Sequence, residues 1–289
     1  MNNCGFLLID KPEGITSFQV ISCLRKITSI KRIGHTGTLD PFATGLLPVC
    51  IGPATRLASF VSSASKTYLA TIKLGTKTDT GDLTGKIVST KSLEKLSPEI
   101  IQNAVKAILA LKEQTPPQYS AIKVNGKRAY ELARKGAEVE LKPRPITVHD
   151  FMIISSDGST ITYQATVSKG TYIRTLSEQF AELTGNIATT IALRRIAVDK
   201  LSIDDAVELA ELTTDNWLDH LISPARILTL PQIKIDDEVS TKFMNGRFIT
   251  SSDIAHDQYL VIRQSTMRVL GIAKPIDDNR LKPEIVLPE

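Results

Sequence analysis

The sequence predicts a mixed α+β fold, because strand-like and helix-like segments follow one another without regular alternation. The clearest strand runs from Ile161 to Val167, where apolar and polar residues alternate with the period of a half-buried strand. The segment from Tyr68 to Leu74 alternates in the same way. Several of the strand-like runs resemble hairpins, which favours a mixed α+β fold over a doubly wound parallel sheet.

Local signals predict the first elements in order. The apolar run GFLLID, residues 5–10, predicts a buried strand that ends at the turn signal KPEG. Ser17 is the expected N-cap of a helix whose apolar residues recur on one face. Ser97 as N-cap and Pro98 at the first helical position predict a second helix.

Residues 112–144 are interpreted as a basic insertion that protrudes from its domain. A Pro-Pro turn precedes a hairpin signal at Asn125-Gly126 and a short helix that ends at Gly136. Further along, the strand ending at Val167 leads into a helix that ends at Gly185. Residues 169–174 therefore lie at a junction between elements, where site residues are common.

The last third of the chain predicts a second, smaller domain. An acidic helix is expected after Ser202, and Pro231 marks an expected boundary. We expect residues 1–230 to form the first domain. Residues 231–289 contain short strand-like runs and are expected to form a small β-rich domain.

The composition is that of an ordinary globular protein, with 42% hydrophobic and 23% charged residues among 289. No signal peptide is recognisable, and no apolar run is long enough to span a bilayer. Cys4, Cys23 and Cys50 form neither a metal-spaced pair nor a disulfide framework. We therefore expect a cytoplasmic protein without membrane attachment.

Charge is distributed unevenly, although the net charge is only +4. Residues 1–66 carry seven Lys/Arg against three Asp/Glu, and residues 112–144 carry eight against four. Residues 202–238 carry two against nine. This asymmetry is typical of a basic working face with an acidic, solvated back, and it fits a polyanionic partner. Many mildly basic proteins bind no such partner, so charge alone leaves the question open.

Common cofactor motifs are missing from the sequence. The glycine-rich GHTGTLD lacks the Gly-Lys-Ser/Thr ending of a P-loop, no GxGxxG follows a strand, and no GxSxG elbow occurs. The four histidines are scattered without the spacing of metal ligands. The sequence therefore predicts a protein that uses neither a cofactor nor a metal.

The stretch GHTGTLDPFATG, residues 34–45, surrounds the carboxylate of Asp40 and the imidazole of His35 with three glycines and one proline. Taken singly, its residues have ordinary interpretations. Asp-Pro commonly starts a turn, and a lone histidine is usually structural. Arg174 would be a surface charge and Tyr68 a packed strand residue.

Six segments, taken together, occur in the order of successive motifs of one family. They are GFLLIDKPEGITS, GHTGTLDPFATGLLPVCIGPATR, KTYLATIKLGTKTDTGD, TPPQYSAIKVNGKRAYELARKG, KGTYIRTL and ALRRIAV. The chain resembles the TruB family, the tRNA pseudouridine(55) synthases, over nearly all of residues 5–200. The resemblance implies a pseudouridine-synthase fold: a mixed, largely antiparallel central sheet flanked by helices and loops. It also implies that residues 231–289 form a short PUA-like RNA-binding domain.

The activity implied by this resemblance is isomerisation of uridine 55 in the T-loop of tRNA to pseudouridine. The uridine is flipped out, its glycosidic C–N bond breaks, and C5 of the uracil bonds to C1′. An isomerisation needs no redox or phosphate cofactor. The implied partner is the T-arm of tRNA, with no obligate protein partner, and the implied state is a monomer.

The resemblance also assigns site residues. Asp40 corresponds to the carboxylate that acts at C1′, Arg174 to its cationic partner, and Tyr68 to the tyrosine that stacks on the target base. Which act Asp40 performs stays open: it can stabilise positive charge, attack C1′ or remove a ribose proton. The residues assigned to substrate and RNA binding are His35, Tyr172, Leu193, Lys11, Lys127 and Arg128. Further basic residues of the expected RNA clamp are Lys123, Arg134 and Lys135.

The chain departs from the family pattern at three points. Val167 stands where a cysteine is frequent, Thr189 stands where a histidine is frequent, and the C-terminal region is short. Two alternatives stay in view. One is a guide-RNA-dependent synthase of the dyskerin type, against which the short C-terminal region and the absence of long charged tails argue. The other is a non-catalytic RNA-binding protein or RNA-folding chaperone, and a chaperone role could also accompany catalysis.

Overall fold

A computed structural model describes residues 3–124, 126–133, 135–137, 139–251 and 254–288. The helices are α1 (Ser17–Thr28), α2 (Ala58–Ser62), α3 (Pro98–Leu109), α4 (Ala129–Ala133), α5 (Ile173–Leu183), α6 (Pro224–Ile227) and α7 (Asp237–Met244). The strands of the first 230 residues are β1 (Gly5–Lys11), β2 (Ile33–His35), β3 (Thr44–Ile51), β4 (Lys66–Leu74), β5 (Thr76–Thr78), β6 (Ile87–Thr90), β7 (Glu113–Gln114), β8 (Lys123–Val124), β9 (Lys127–Arg128), β10 (Arg144–Pro145), β11 (Val148–Ser156), β12 (Thr160–Val167), β13 (Ala188–Val198), β14 (Leu201–Ser202) and β15 (Val207–Glu208). They are followed by β16 (Gln232–Ile235), β17 (Ile249–Thr250), β18 (Tyr259–Arg263), β19 (Arg268–Asp277) and β20 (Arg280–Val286).

A nine-stranded mixed sheet forms the centre of the molecule. Its order is β11-β12-β4-β13-β3-β1-β15, with β14 beside β13 and β2 beside β3. The β1–β15 and β13–β3 pairs are parallel, whereas the other pairs along this order are antiparallel. The predicted mixed α+β fold with a largely antiparallel sheet is confirmed.

Helices α1, α3 and α5 contribute to the core on one side of this sheet. Leu176 and Phe180 of α5 are fully buried, as are Val20 and Leu24 of α1. The ring of Tyr163 on β12 stacks on Phe151 of β11 at 4.5 Å between centroids. This packing fixes the start of α5 beside the loop that joins β2 to β3.

The C-terminal residues form a separate five-stranded sheet with the order β16-β18-β19-β20-β17. Leu260, Ile262 and Ile272 of this sheet share a buried core with Phe6 and Leu8 of β1. The small β-rich domain is therefore consistent with a PUA-like domain, and it packs on the central sheet through apolar contacts. No helix in the described ranges is long and apolar enough to cross a membrane.

The structure corrects two local predictions. The N-cap of α1 is Thr16, whose side chain accepts from the backbone N–H of Gln19, while the Gln19 side chain accepts from the backbone N–H of Thr16. Ser17 is the first helical residue and is buried. The prediction of an acidic helix after Ser202 is wrong, because short strands and 3₁₀ turns occupy residues 201–211. Apolar residues do recur at helical spacing, but pairing of β15 with β1 directs Val207 into one core and leaves Ile203 and Ala206 against the other.

Candidate active site

The loop that carries Asp40 joins β2 to β3 and is held at several points by buried groups. The Ser17 hydroxyl accepts from the backbone N–H of Leu39 at 2.9 Å and donates to its carbonyl at 3.2 Å. The Lys11 ammonium donates to the carbonyl of Pro41 at 3.3 Å. The residues on both sides of Asp40 are therefore fixed to the start of α1 and the end of β1.

Arg195 of β13 forms hydrogen bonds to both ends of the same loop. Its guanidinium is 1% exposed and donates to the carbonyls of Leu46, at 2.7 Å, and Gly37, at 3.1 Å. Gly45 has φ of +102°, and a Cβ there would lie 2.3 Å from the Arg195 carbonyl oxygen. Only glycine permits this approach of β3 to β13 at position 45, whereas a Cβ at Gly34 or Gly37 would make only ordinary contacts.

Asp40 forms an ion pair with Arg174 in the first turn of α5. Arg174 Nε lies 2.9 Å from Asp40 Oδ2, and the exposed fractions of the two side chains are 4% and 35%. The carboxylate is thus accessible while its cation is buried. A guanidinium in this position sets the orientation of the carboxylate as well as compensating its charge.

The remaining nitrogens of Arg174 are also occupied. Nη1 donates to the carbonyl of Thr80 at 2.6 Å and lies 3.5 Å from Oδ2 of Asp82, and Nη2 donates to the carbonyl of Tyr119 at 2.9 Å. Oδ1 of Asp82 accepts from the backbone N–H of Thr84 at 2.9 Å and from its hydroxyl at 2.6 Å. Arg174 therefore joins three separate segments of the chain at one buried point.

Burial raises the pKa of Asp40, and the charge of Arg174 opposes that shift. The Asp82 carboxylate raises the pKa of Asp40 further, and Lys11 lowers it. Burial also lowers the pKa of Lys11 to about 8, against the pull of Asp40. The site thus keeps a carboxylate in surroundings that penalise its charge, a condition typical of functional groups.

Tyr68 and Leu193 share one face of the central sheet beside this pair. Tyr68 of β4 lies directly opposite Arg195 of β13, and Leu193 lies opposite Ala70. Tyr68 is 9% and Leu193 is 7% exposed. Both are therefore enclosed in the core on this face of the sheet, and their place as walls of a pocket stays a prediction.

Tyr172 and His35 are two further residues that the resemblance assigns to substrate and RNA binding. Tyr172 is the N-cap residue of α5, and the charges of Asp40 and Arg174 both act on its phenol, whose pKa is raised mainly by burial. His35 lies on β2, and burial followed by the charge of Arg195 lowers its pKa. Its Nδ1 atom is buried and has no hydrogen-bond partner within the described residues.

The remaining predicted RNA-binding residues fall into two groups. Lys127 and Arg128 form the short strand β9 and are exposed on the insertion, as are Lys123 and Lys135. Arg134 and Asn125 lie outside the described residues. Lys11 differs from the expectation, because it is 0% exposed and its ammonium donates to the carbonyls of Pro12, Ile15 and Pro41. Its place is beneath the Asp40 loop rather than on an RNA-facing surface.

The structure adds groups that sequence reasoning missed. Asp82 lies in TDTGD and Arg195 in ALRR, and both segments were noted only as motifs. Their positions relative to Asp40 depend on strand pairing across the sheet. In the described ranges, no group of three or more His, Cys, Asp and Glu could hold a metal ion. The arrangement offers an oriented carboxylate together with aromatic side chains and cationic groups.

Two family models match the chain. The model described as TruB family pseudouridylate synthase (N terminal domain) matches residues 25–173. The model described as Pseudouridine synthase II TruB, C-terminal, matches residues 231–287. The second match begins where β16 begins, within one residue.

Curated relatives and solved structures agree with these matches. The chain is 46% identical to the tRNA pseudouridine synthase B of Clostridium novyi, over 76% of this chain and 75% of the relative. It is 37% identical to the enzyme of the same name from Bacillus thuringiensis (strain Al Hakam), over 98% and 97%.

Among solved structures, an H/ACA ribonucleoprotein bound to a substrate RNA containing 2′-deoxyuridine has a TM-score of 0.71 at 19% identity, covering 99% of this chain and 85% of that chain. A Cbf5-Nop10-Gar1 complex also has a TM-score of 0.71, at 21% identity, covering 98% and 84%. These two likenesses concern the fold. With the family models and relatives, they show that the chain belongs to the TruB family of pseudouridine synthases, which are isomerases.

Proposed function

We propose that the protein converts uridine 55 in the T-loop of tRNA to pseudouridine, with Asp40 as the catalytic carboxylate. The observation that carries this proposal is the Asp40–Arg174 ion pair, in which an accessible carboxylate is oriented by a buried guanidinium. The proposal is supported by membership of the family and by relatives named tRNA pseudouridine synthase B.

In the proposed reaction, Asp40 acts beside C1′ of the flipped nucleotide. Breaking the glycosidic bond builds positive charge on the ribose, which one carboxylate can stabilise or capture. The uracil then turns within the pocket and C5 bonds to C1′, while the C5 proton is lost and N1 gains one. No atom is added overall, and water must be kept from C1′ because it would hydrolyse the intermediate.

The other site residues hold the base and the RNA. We propose that Tyr68 stacks on the uracil and assists proton loss at C5, and that Tyr172 and Leu193 line the pocket. His35 is proposed to contact the T-loop. The energy needed to extrude the nucleotide, a few kcal/mol, is offset by stacking, base-edge hydrogen bonds and phosphate contacts.

The proposal also assigns RNA contacts outside the active site. We propose that Lys127 and Arg128 on the insertion contact RNA phosphates, and that residues 231–289 act as a short PUA-like RNA-binding domain. Residues 1–230 would form the catalytic domain, with the insertion at residues 112–144. The protein would act on tRNA in the cytoplasm as a monomer without an obligate protein partner.

The direct test is to incubate the purified protein with an unmodified tRNA transcript and to map pseudouridine by a chemical label that stops reverse transcription. We expect one modified position, in the T-loop, and no modification of a transcript in which that uridine is replaced by cytidine. Modification at other positions would contradict the proposed specificity.

Two other outcomes favour the alternatives. Modification that requires an added guide RNA or protein would favour the dyskerin type. Tight tRNA binding without modification would favour an RNA-folding chaperone. A chaperone role that accompanies catalysis would appear as improved tRNA folding by an Asp40→Asn variant, because binding should survive that substitution.

A further inference from the structure

Gln114 connects the neck of the insertion to the start of α5. It lies in β7, which pairs with β10 where the chain enters and leaves the insertion. Its side chain is buried, with the residue 3% exposed. The amide oxygen accepts from the backbone N–H of Tyr172 at 2.8 Å, and the amide nitrogen donates to the Tyr172 carbonyl at 3.3 Å and to Oε1 of Gln179 at 3.1 Å.

These bonds act on the residue at which α5 begins, whose carbonyl also accepts from the backbone N–H of Leu176 at 3.0 Å. Tyr172 precedes α5 in an extended conformation, with φ of −96° and ψ of 115°, and its side chain makes no capping hydrogen bond. The direction of the first turn of α5 depends on these torsions. That turn carries Arg174, so a rotation at Tyr172 moves the guanidinium relative to Asp40.

A second contact from the same segment reaches the same turn. The carbonyl of Tyr119 accepts from Nη2 of Arg174 at 2.9 Å. Gln114 and Tyr119 therefore hold residues 172–174 from two sides. The insertion that carries Lys127 and Arg128 is thus attached to the ion pair through the Gln114 side-chain amide and the Tyr119 carbonyl.

We propose that Gln114 is a positioning residue: its amide holds the Tyr172 backbone so that Arg174 and the Tyr172 ring meet the substrate in the reactive geometry. This inference rests on the function proposed above. Gln114 itself touches no substrate. Because misplacement of a catalytic group by about 1 Å can slow a reaction about a hundredfold, loss of this amide should slow the chemical step more than it weakens tRNA binding.

The chain offers a matched control for this role. Gln118 makes the same pair of bonds, with its amide oxygen accepting from the backbone N–H of Val139 at 3.1 Å and its nitrogen donating to the Val139 carbonyl at 2.7 Å. Both ends of that contact lie within the insertion. Gln118→Met therefore disturbs the insertion without removing the bond to α5.

The experiment compares Gln114→Met, which retains length and apolar volume, with Gln118→Met and the unsubstituted protein. Pseudouridine formation is measured in a single turnover with saturating enzyme, and the Kd for the same tRNA transcript is measured by filter binding. We expect Gln114→Met to lower the single-turnover rate at least about tenfold with a Kd within about threefold of the unsubstituted value. Gln118→Met should lower the rate at saturation clearly less than Gln114→Met does.

Any one of three results would overturn the positioning role. The first is a Gln114→Met rate equal to that of the unsubstituted protein, and the second is a change in Kd alone. The third is an equal slowing by Gln118→Met. If Gln114→Met does not fold in a thermal melt, Gln114→Glu, which keeps the acceptor for the Tyr172 N–H but loses both donors, is judged by the same criteria. Absence of pseudouridine with the unsubstituted protein would instead reject the proposed function, and this inference with it.

Discussion

Arg174 Nε lies 2.9 Å from Asp40 Oδ2, and the two side chains are exposed to very different degrees, 4% and 35%. The cation is enclosed by backbone carbonyls and a second carboxylate, while the anion faces the open side of the site. Such a pair contributes orientation rather than stability, because the desolvation cost of the enclosed arginine offsets much of its attraction to the carboxylate. We expect the site to be organised before tRNA binds.

The first prediction concerns stability and Asp40. Because burial raises the pKa of Asp40, the folded protein binds this proton more tightly than the unfolded chain does. The ionised carboxylate therefore costs stability at neutral pH, and the cost disappears as pH falls below the ordinary aspartate pKa of about 4. Asp40→Asn should melt at the same temperature as the unsubstituted protein, or higher, at pH 7. A clearly lower melting temperature would show that the ion pair stabilises the fold.

The same shift predicts the pH dependence of the rate. If the reaction requires ionised Asp40, the single-turnover rate should fall as the pH is lowered. The midpoint of this fall should lie above about pH 4. The direction follows from burial, which outweighs the opposing charge of Arg174. Rates measured across the acid range at saturating enzyme, with tRNA binding followed in parallel, test this. A rate that stays constant down to about pH 4 would contradict it.

A third prediction concerns Asp82. Asp82→Asn removes the charge 3.5 Å from Arg174 Nη1 and places an amide there, so Arg174 should lose part of its alignment. We expect the single-turnover rate to fall about tenfold, which corresponds to about 1.4 kcal/mol. The matched control is Asp79→Asn in the same hairpin, whose carboxylate accepts from the Lys86 backbone N–H at 2.8 Å. Equal effects of the two substitutions would indicate a general disturbance of the hairpin.

The fourth prediction concerns the basic insertion. If Lys127 and Arg128 contact phosphates, each alanine substitution should weaken tRNA binding and reduce the slope of log Kd against log salt by about 1. Lys106→Ala, on the exposed side of α3, should change neither quantity. Filter binding at a series of salt concentrations measures both. An unchanged slope in the Lys127 and Arg128 variants would exclude phosphate contacts at these positions.

The fifth prediction concerns the glycine beneath the loop. Gly45→Ala combines an unfavourable φ of +102° with a contact of 2.3 Å to a backbone oxygen that cannot move away. We expect a loss of at least about 2 kcal/mol in the free energy of unfolding. Gly14→Ala has φ of +84° but no atom within 4 Å of the added Cβ, so it should cost only about 1 kcal/mol. Denaturant unfolding of both variants compares the two, and equal losses would contradict the steric argument.

Local patterns accounted for much of the fold. The strand from Ile161 to Val167 and the helix that starts after Ser97 are confirmed, because alternation and capping depend only on neighbouring residues. The strand β3 was not predicted, since TGLLPVCI contains a glycine and a proline and has no alternation. Its place between β1 and β13 is set by long-range pairing.

The site could be predicted only in part, for a physical reason. The pairing of Asp40 with Arg174 came from family resemblance and is present as an ion pair in the structure, but no local pattern connects residues so far apart. Asp82, Gln114 and Arg195 acquire their positions through contacts across strands, so a single sequence does not distinguish them from surface residues. Lys11 was assigned to RNA binding by the resemblance, whereas the structure buries it and three backbone carbonyls accept from its ammonium.

The most direct test of the central claim is the single-turnover rate of Asp40→Asn on an unmodified tRNA transcript, measured together with its Kd for that transcript. The amide has the size of the carboxylate but lacks its charge. Our account predicts no detectable pseudouridine and a Kd close to that of the unsubstituted protein. Formation of pseudouridine by Asp40→Asn at the unsubstituted rate would mean that another group carries the reaction.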